Sequence, residues 1–211
     1  MIKTEYESTY MKALNKTLFV CIIGFFVNLT HAHNGEDEHV GKHTAQEKIT
    51  TSTVSYTLPD VDLVRDDGKT VSLSEELNDG RPVILNFIYT TCKAVCPISS
   101  QIFYKLQGKL GTEAEKVHMV SISIDPEQDT PSRLKKYAKE YKAGPQWQYY
   151  TGSSEASIAT QRAFDVYHGD KMSHTPVTLL RASPGKSWSR IDGFATADDL
   201  LREYKTLVSA Q

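Results

Sequence analysis

The chain has 211 residues, 39% of them hydrophobic and 24% charged, with a formal net charge of -2. That is ordinary globular composition, long enough for one well-buried core and too short for two typical domains plus an export signal. The near-neutral balance and the lack of a basic cluster interleaved with aromatics exclude an electrostatic nucleic-acid binder.

The N-terminal part reads as a secretory signal over residues 1–32. An apolar run from Leu18 to Leu29 follows Lys12 and Lys16 and precedes Thr30-His31-Ala32, which places cleavage after Ala32 and the mature chain in the periplasm. Glu5 and Glu7 are out of place in a basic region, so Met11 is a candidate start. The run is shorter than the ~20 residues a spanning helix needs, and membrane attachment is expected only if it stays uncleaved. Cleavage removes Cys21 and leaves Cys92 and Cys96 as the only cysteines, so no other disulfide within the molecule is open to it. In an oxidising compartment that pair is oxidised unless a partner reduces it or a metal holds it.

Residues 33–53 are polar and nearly free of aliphatics, and are predicted to form a disordered leader. Its His33, His39 and His43 suit loose binding of copper, nickel or zinc, although their spacing fits no compact site and a solvated tail is the simpler reading. The folded domain is expected over residues 54–211.

Within it, Val61 to Leu73 alternates around Asp67-Gly68, a strong hairpin signal. Ser74 is positioned to cap a short helical turn through Leu77. Val83-Ile84-Leu85-Asn86-Phe87-Ile88 reads as a buried strand, and Ile98, Ile102, Leu106 and Leu110 recur at helical spacing with Gly108 and Gly111 at the end. Val117 to Ile124 is the next strand. His118 at its start reads as a strand-edge residue with a solvated or hydrogen-bonded ring, not a ligand. Thr130 and Pro131 open a helix through Tyr141, Trp147 to Gly152 is a short strand, and Ser154 to Phe164 another helix. Pro176 to Leu180 and Trp188 to Asp192 form a second hairpin, and Thr196 caps a last helix from Ala197 to about Val208. This order predicts an α/β thioredoxin-like fold: a central mixed sheet with flanking helices and an added N-terminal β-hairpin.

The chemistry concentrates in Tyr89-Thr90-Thr91-Cys92-Lys93-Ala94-Val95-Cys96-Pro97, a strand-to-helix turn. Pro97 suits a helix start, so Cys96 lies by a helix N-terminus, where the dipole and free N–H groups favour thiolate, and Lys93 adds positive charge. Such thiolates attack disulfides, bind soft metals or close a disulfide with each other. A purely structural bridge is the weaker reading, because it would close a very short loop. In an open α/β sheet reactive groups gather beyond the carboxyl ends of the parallel strands, where Cys92, Cys96 and Asp125 all fall. His174, in the loop entering a later strand, makes a third donor; two thiolates and an imidazole suit Cu(I), and the nitrogen also holds Cu(II). Solvation remains the plain alternative for a loop histidine, as packing does for Met172 and a loop position for His168.

Several segments in order resemble the Sco/SenC family of thioredoxin-like copper proteins, which assist assembly of the copper centre of cytochrome c oxidase. They are Asn86-Phe87-Ile88-Tyr89-Thr90 before the cysteines, Ser123-Ile124-Asp125-Pro126-Glu127 with Asp129-Thr130-Pro131, Trp147 with Thr151-Gly152, and His174. The resemblance spans about residues 54 to 208. It implies that Cys92, Cys96 and His174 are copper ligands, Cys92 and Cys96 a redox-active pair, and Asp125 an acidic neighbour. It also implies as partners the oxidase copper-site subunit or another copper client, and a periplasmic thiol reductant or copper donor. Lys93 stands where many members have proline, Ser173 where many have an acidic residue, and Thr175-Pro176 is closer to the Xaa-Pro that thioredoxins keep in cis. These departures raise the alternative, a metal-free thiol-disulfide oxidoreductase using Cys92 and Cys96, without overturning the copper reading; a thiol peroxidase is a third class.

Overall fold

The fold is organised by two strands with no exposed residue. In β4 (Val83–Ile88) and β5 (His118–Ser123) every side chain is buried, as expected for parallel strands covered on both faces. They pair in parallel, Val83 opposite His118 through Ile88 opposite Ser123. A computed structural model describes residues 49–210; the signal segment, Met11, Cys21 and the leader histidines lie outside the described residues.

The elements are β1 (Thr50–Val54), β2 (Asp62–Arg65), β3 (Thr70–Ser72), α1 (Leu73–Leu77), β4, α2 (Val95–Leu110), β5, α3 (Pro131–Glu140), β6 (Trp147–Gly152), α4 (Ser154–Ala163), β7 (Val177–Arg181), β8 (Trp188–Asp192) and α5 (Ala197–Ser209). The strands form one eight-stranded sheet in the order β1-β8-β7-β4-β5-β6-β2-β3. β6 joins β5 in parallel, β7 lies antiparallel to β4, and β8 antiparallel to β7. This is the mixed thioredoxin-like sheet expected, and the β2–β3 hairpin extends it by pairing antiparallel to β6.

Local chemistry accounts for most boundaries. Thr130 accepts a hydrogen bond from the Arg133 amide with Pro131 in the first turn, Ser153 caps α4, and Thr196 and Asp199 cap α5 reciprocally. Gly111 ends α2 with φ of 56°, left-handed backbone that glycine adopts without strain. Helix α2 packs on α5 and is tied to α3 by the Ser100–Tyr137 hydroxyl pair.

Four expectations are corrected. Thr50 to Thr53, read as leader, belong to β1, which pairs antiparallel with β8; polar threonines are also good strand formers, and they cover an edge that would otherwise be open. The first helical turn is capped by Ser72, whose hydroxyl accepts from the Glu75 amide, not by Ser74. His118, expected at a strand edge, opens the central strand β5 and is fully buried; of the two states expected for its ring, the hydrogen-bonded one holds and not the solvated one, between the Glu76 carbonyl (3.1 Å) and the Tyr150 hydroxyl (3.1 Å). All described peptide bonds are trans, Thr175-Pro176 included.

Candidate metal centre

The cysteine loop leaves β4 at Ile88 and enters α2 at Val95, two residues ahead of Pro97. No conventional side chain caps α2 at Ala94. The Cys92 sulfur takes that place, accepting the Cys96 amide at 3.4 Å. The Cys96 sulfur in turn accepts the Tyr89 amide at 3.4 Å. Both thiols are free; Cys92 is 8% exposed and Cys96 1%.

The two differ electrostatically. Burial pushes the Cys92 thiol up, but hydrogen bonds from the Cys96 and Ala94 amides, the Cys96 side chain and the Tyr89 hydroxyl outweigh it, and its pKa falls below the ordinary value. Cys96 goes the other way, raised above all by burial and further by the Cys92 and Asp129 charges, the Tyr89 amide opposing. Lys93 is exposed and is not among the main influences on Cys92; the help expected from it comes from backbone N–H groups.

Sequence reasoning put the acidic neighbour at Asp125, which is buried and bonded to Lys171 Nζ at 2.7 Å. The residue it missed is Asp129. Fully buried, its carboxylate accepts the Thr90 amide (3.1 Å), the Thr90 hydroxyl and the Ser123 hydroxyl (2.6 Å), lashing the cysteine loop to the end of β5. The signal was present in Asp129-Thr130-Pro131, where only Thr130 and Pro131 have an obvious local use.

His174 reaches the same end of β4 from the loop after α4. It is 7% exposed, and its Nε2 lies 3.1 Å from the Phe87 carbonyl oxygen. A carbonyl only accepts, so Nε2 carries the proton and Nδ1 a bare lone pair; Nδ1 is buried with no partner. Metal-ligating histidines commonly have this arrangement, one ring nitrogen donating to a backbone carbonyl and the other free. Burial lowers the His174 pKa, the Phe87 bond opposing, which keeps the ring neutral. The donor chemistry of two sulfurs and an unpartnered imidazole nitrogen therefore fits a soft or borderline metal such as copper. Among the described residues, however, no group of three or more His, Cys, Asp and Glu side chains stands close enough to hold an ion. The three expected donors surround one end of β4 without forming a closed site.

Beside His174 is a cavity of about 390 Å³, lined among others by Asp125, Gln161, His168 and Lys171 but by neither cysteine. Met172 is 74% exposed, and its sulfur lies 3.6 Å from the Tyr89 hydroxyl.

The SCO1/SenC family profile matches residues 50–209. The chain belongs to the SCO1/SenC family. It is 40% identical over 93 residues to the SCO1 protein homolog of Bacillus subtilis, a match covering 44% of this chain and 47% of that protein, so the aligned part spans about half the length of that relative. Among solved structures, BsSco, described as having a disulfide switch and as a member of the Sco family of cytochrome c oxidase assembly proteins, is 27% identical with a TM-score of 0.62, covering 76% of this chain and 98% of that one. Bradyrhizobium japonicum ScoI with copper bound is 27% identical with a TM-score of 0.59, covering 69% and 96%. This SCO1/SenC chain thus shares its fold with a Sco protein solved with its metal and with one described by its disulfide.

Proposed function

We propose that this SCO1/SenC protein binds copper through Cys92, Cys96 and His174 in the periplasm and serves assembly of the cytochrome c oxidase copper centre, passing the ion to the copper-site subunit or another copper client. The observation that carries this reading is the buried, unpartnered Nδ1 of His174 at the strand end that also holds both thiols. An orphaned buried acceptor carries a desolvation cost, which a metal bond relieves. The copper-bound Bradyrhizobium relative supports the choice of metal. Copper here is cargo: the thiols hold it, and the imidazole, kept neutral by its surroundings, is ready to coordinate without first losing a proton.

A second reading rests on the opposed thiol shifts. Cys92, with the favoured thiolate, would attack a client disulfide; buried Cys96, held as a thiol, would resolve the mixed disulfide, leaving the client reduced and a Cys92–Cys96 disulfide that a periplasmic reductant must reduce. Copper analysis of protein purified reduced, beside His174→Ala, separates the two. Stoichiometric copper that weakens in the variant supports the copper reading; no copper in either, with disulfide exchange unchanged by the variant, supports the reductase.

A further inference from the structure

The charges of the chain are unevenly placed. Across the whole sequence they nearly cancel, with a net of -2, yet the ten residues of α3 carry Arg133, Lys135, Lys136 and Lys139 against one acid, Glu140. All four cations are exposed, while Leu134, Tyr137 and Ala138 on the other side of the helix are buried. Among the described residues none of the four has a carboxylate within 4.0 Å, whereas Arg65, Lys116 and Arg202 elsewhere each hold one. The spacing works against the helix itself, because Arg133 and Lys136, Lys136 and Lys139, and Lys135 and Lys139 stand three or four residues apart, where like charges repel.

This basic face borders the thiols. Thr90, just before Cys92, lines a cavity of about 160 Å³ together with Arg133, Lys136, Tyr137 and Glu140. Helix and loop are held in place from both sides. The Asp129 carboxylate accepts the Thr90 amide at 3.1 Å, the adjacent Thr130 caps α3, and the Tyr137 hydroxyl pairs with that of Ser100 in α2 at 2.9 Å. Lys93, between the cysteines, is exposed as well. A membrane surface fits this face poorly: a helix lying in an interface sets large apolar side chains into it, and α3 exposes none. We propose that the outer face of α3 docks an acidic protein surface, that of the client served by Cys92 and Cys96, with a client carboxylate entering the cavity between Thr90 and the Arg133 and Lys136 cations. Opposite charge speeds encounter and fixes register, so the client is aligned with the cysteine loop before any exchange of metal or disulfide. Resting on the reading above that the thiols serve a protein client, the proposal adds the charge of that client's surface.

The test is amide NMR of the reduced full chain titrated with a short glutamate-rich peptide, its lysine-rich counterpart and phosphatidylglycerol vesicles, beside an Arg133→Gln, Lys136→Gln double variant, with copper content measured in parallel. Both substituted positions are exposed, so the fold is retained. The glutamate-rich peptide is expected to shift amides of α3 and of Thr90 to Ala94, and the lysine-rich one to shift neither. Its affinity should fall as the Debye length shortens from ~30 Å at ~0.01 M salt to ~10 Å at ~0.1 M, and drop roughly fivefold in the double variant, the scale of two exposed ion pairs. No shift in α3 at low salt, or equal affinity in the variant, overturns the docking face. A response to vesicles alone overturns it in favour of a membrane. A shift of α3 on converting Glu36, Asp37 and Glu38 to their amides, with the peptide silent, overturns it in favour of the chain's own leader. Absence of copper from the reduced wild-type protein overturns the copper reading separately, since the peptide response does not depend on the metal.

Discussion

Two cysteines separated by three residues become chemically unequal because one sulfur caps a helix and the other is packed behind it. Cys92 is expected to react first with iodoacetamide near neutral pH, since it combines the favoured thiolate with the greater exposure. Peptide mapping after brief alkylation checks this; equal labelling of both would show that the hydrogen bonds to Cys92 do not persist in solution. Asp129 sets the position of the pair. Asp129→Ala takes the acceptor from the part-buried Thr90 amide and the buried Ser123 hydroxyl, and is expected to cost about 3 kcal/mol in urea denaturation. A loss under about 1 kcal/mol would mean that water or a neighbour replaces the carboxylate.

At the level of elements, caps and edges do the organising. α5 begins with a reciprocal cap in which Thr196 accepts from the Asp199 amide and the Asp199 carboxylate accepts from the Thr196 amide and hydroxyl. Thr196→Ala should destabilise the protein by about 1 kcal/mol, seen as a lower urea midpoint with an unchanged slope. Because α5 packs on α2, the loss should also raise amide exchange in α2, the helix whose first turn holds Cys96. Exchange confined to α5 would argue that the two helices are not coupled. The opposite edges of the sheet are closed in different ways, by β1 against β8 and by the β2–β3 hairpin against β6.

The whole molecule carries a pH dependence that the metal site does not explain. His118 is buried at the start of β5, with burial the main influence and the Arg81 charge adding to it; Asp79, 3.3 Å away, and Glu76 oppose. The net effect lowers its pKa, so the folded protein keeps the ring neutral while the unfolded chain takes up a proton below about pH 6.5. Above that pH the group exerts no penalty. As the pH falls below it, folding stability drops, by at most about 1.4 kcal/mol per pH unit, until the folded-state value is reached. Chemical denaturation between pH 7 and 5 should therefore be steeper for the wild type than for His118→Gln. Parallel curves would show that Asp79 and Glu76 offset the desolvation.

The sequence alone determined the order of elements, because their signals are local: the unbroken apolar run of β4, Asp67-Gly68 in the hairpin, and Thr130-Pro131 and Thr196 at helix starts act on their immediate neighbours. It also placed Cys92, Cys96 and Asp125 at one end of the sheet, since strand direction follows from chain order, and its scattered motifs pointed to the family. Tertiary structure decided what depends on partners remote in the chain. Whether Thr50 to Thr53 are leader or strand depends on β8, more than a hundred residues away, and whether His118 meets water depends on Glu76 and Tyr150. The role of Asp129 required Thr90 to be folded beside it, and the free nitrogen of His174 required the Phe87 carbonyl to take the other. Burial and hydrogen-bond direction arise only when separate segments meet, and these two quantities set which thiol is ionised, which nitrogen is bare, and which sulfur stands at the surface.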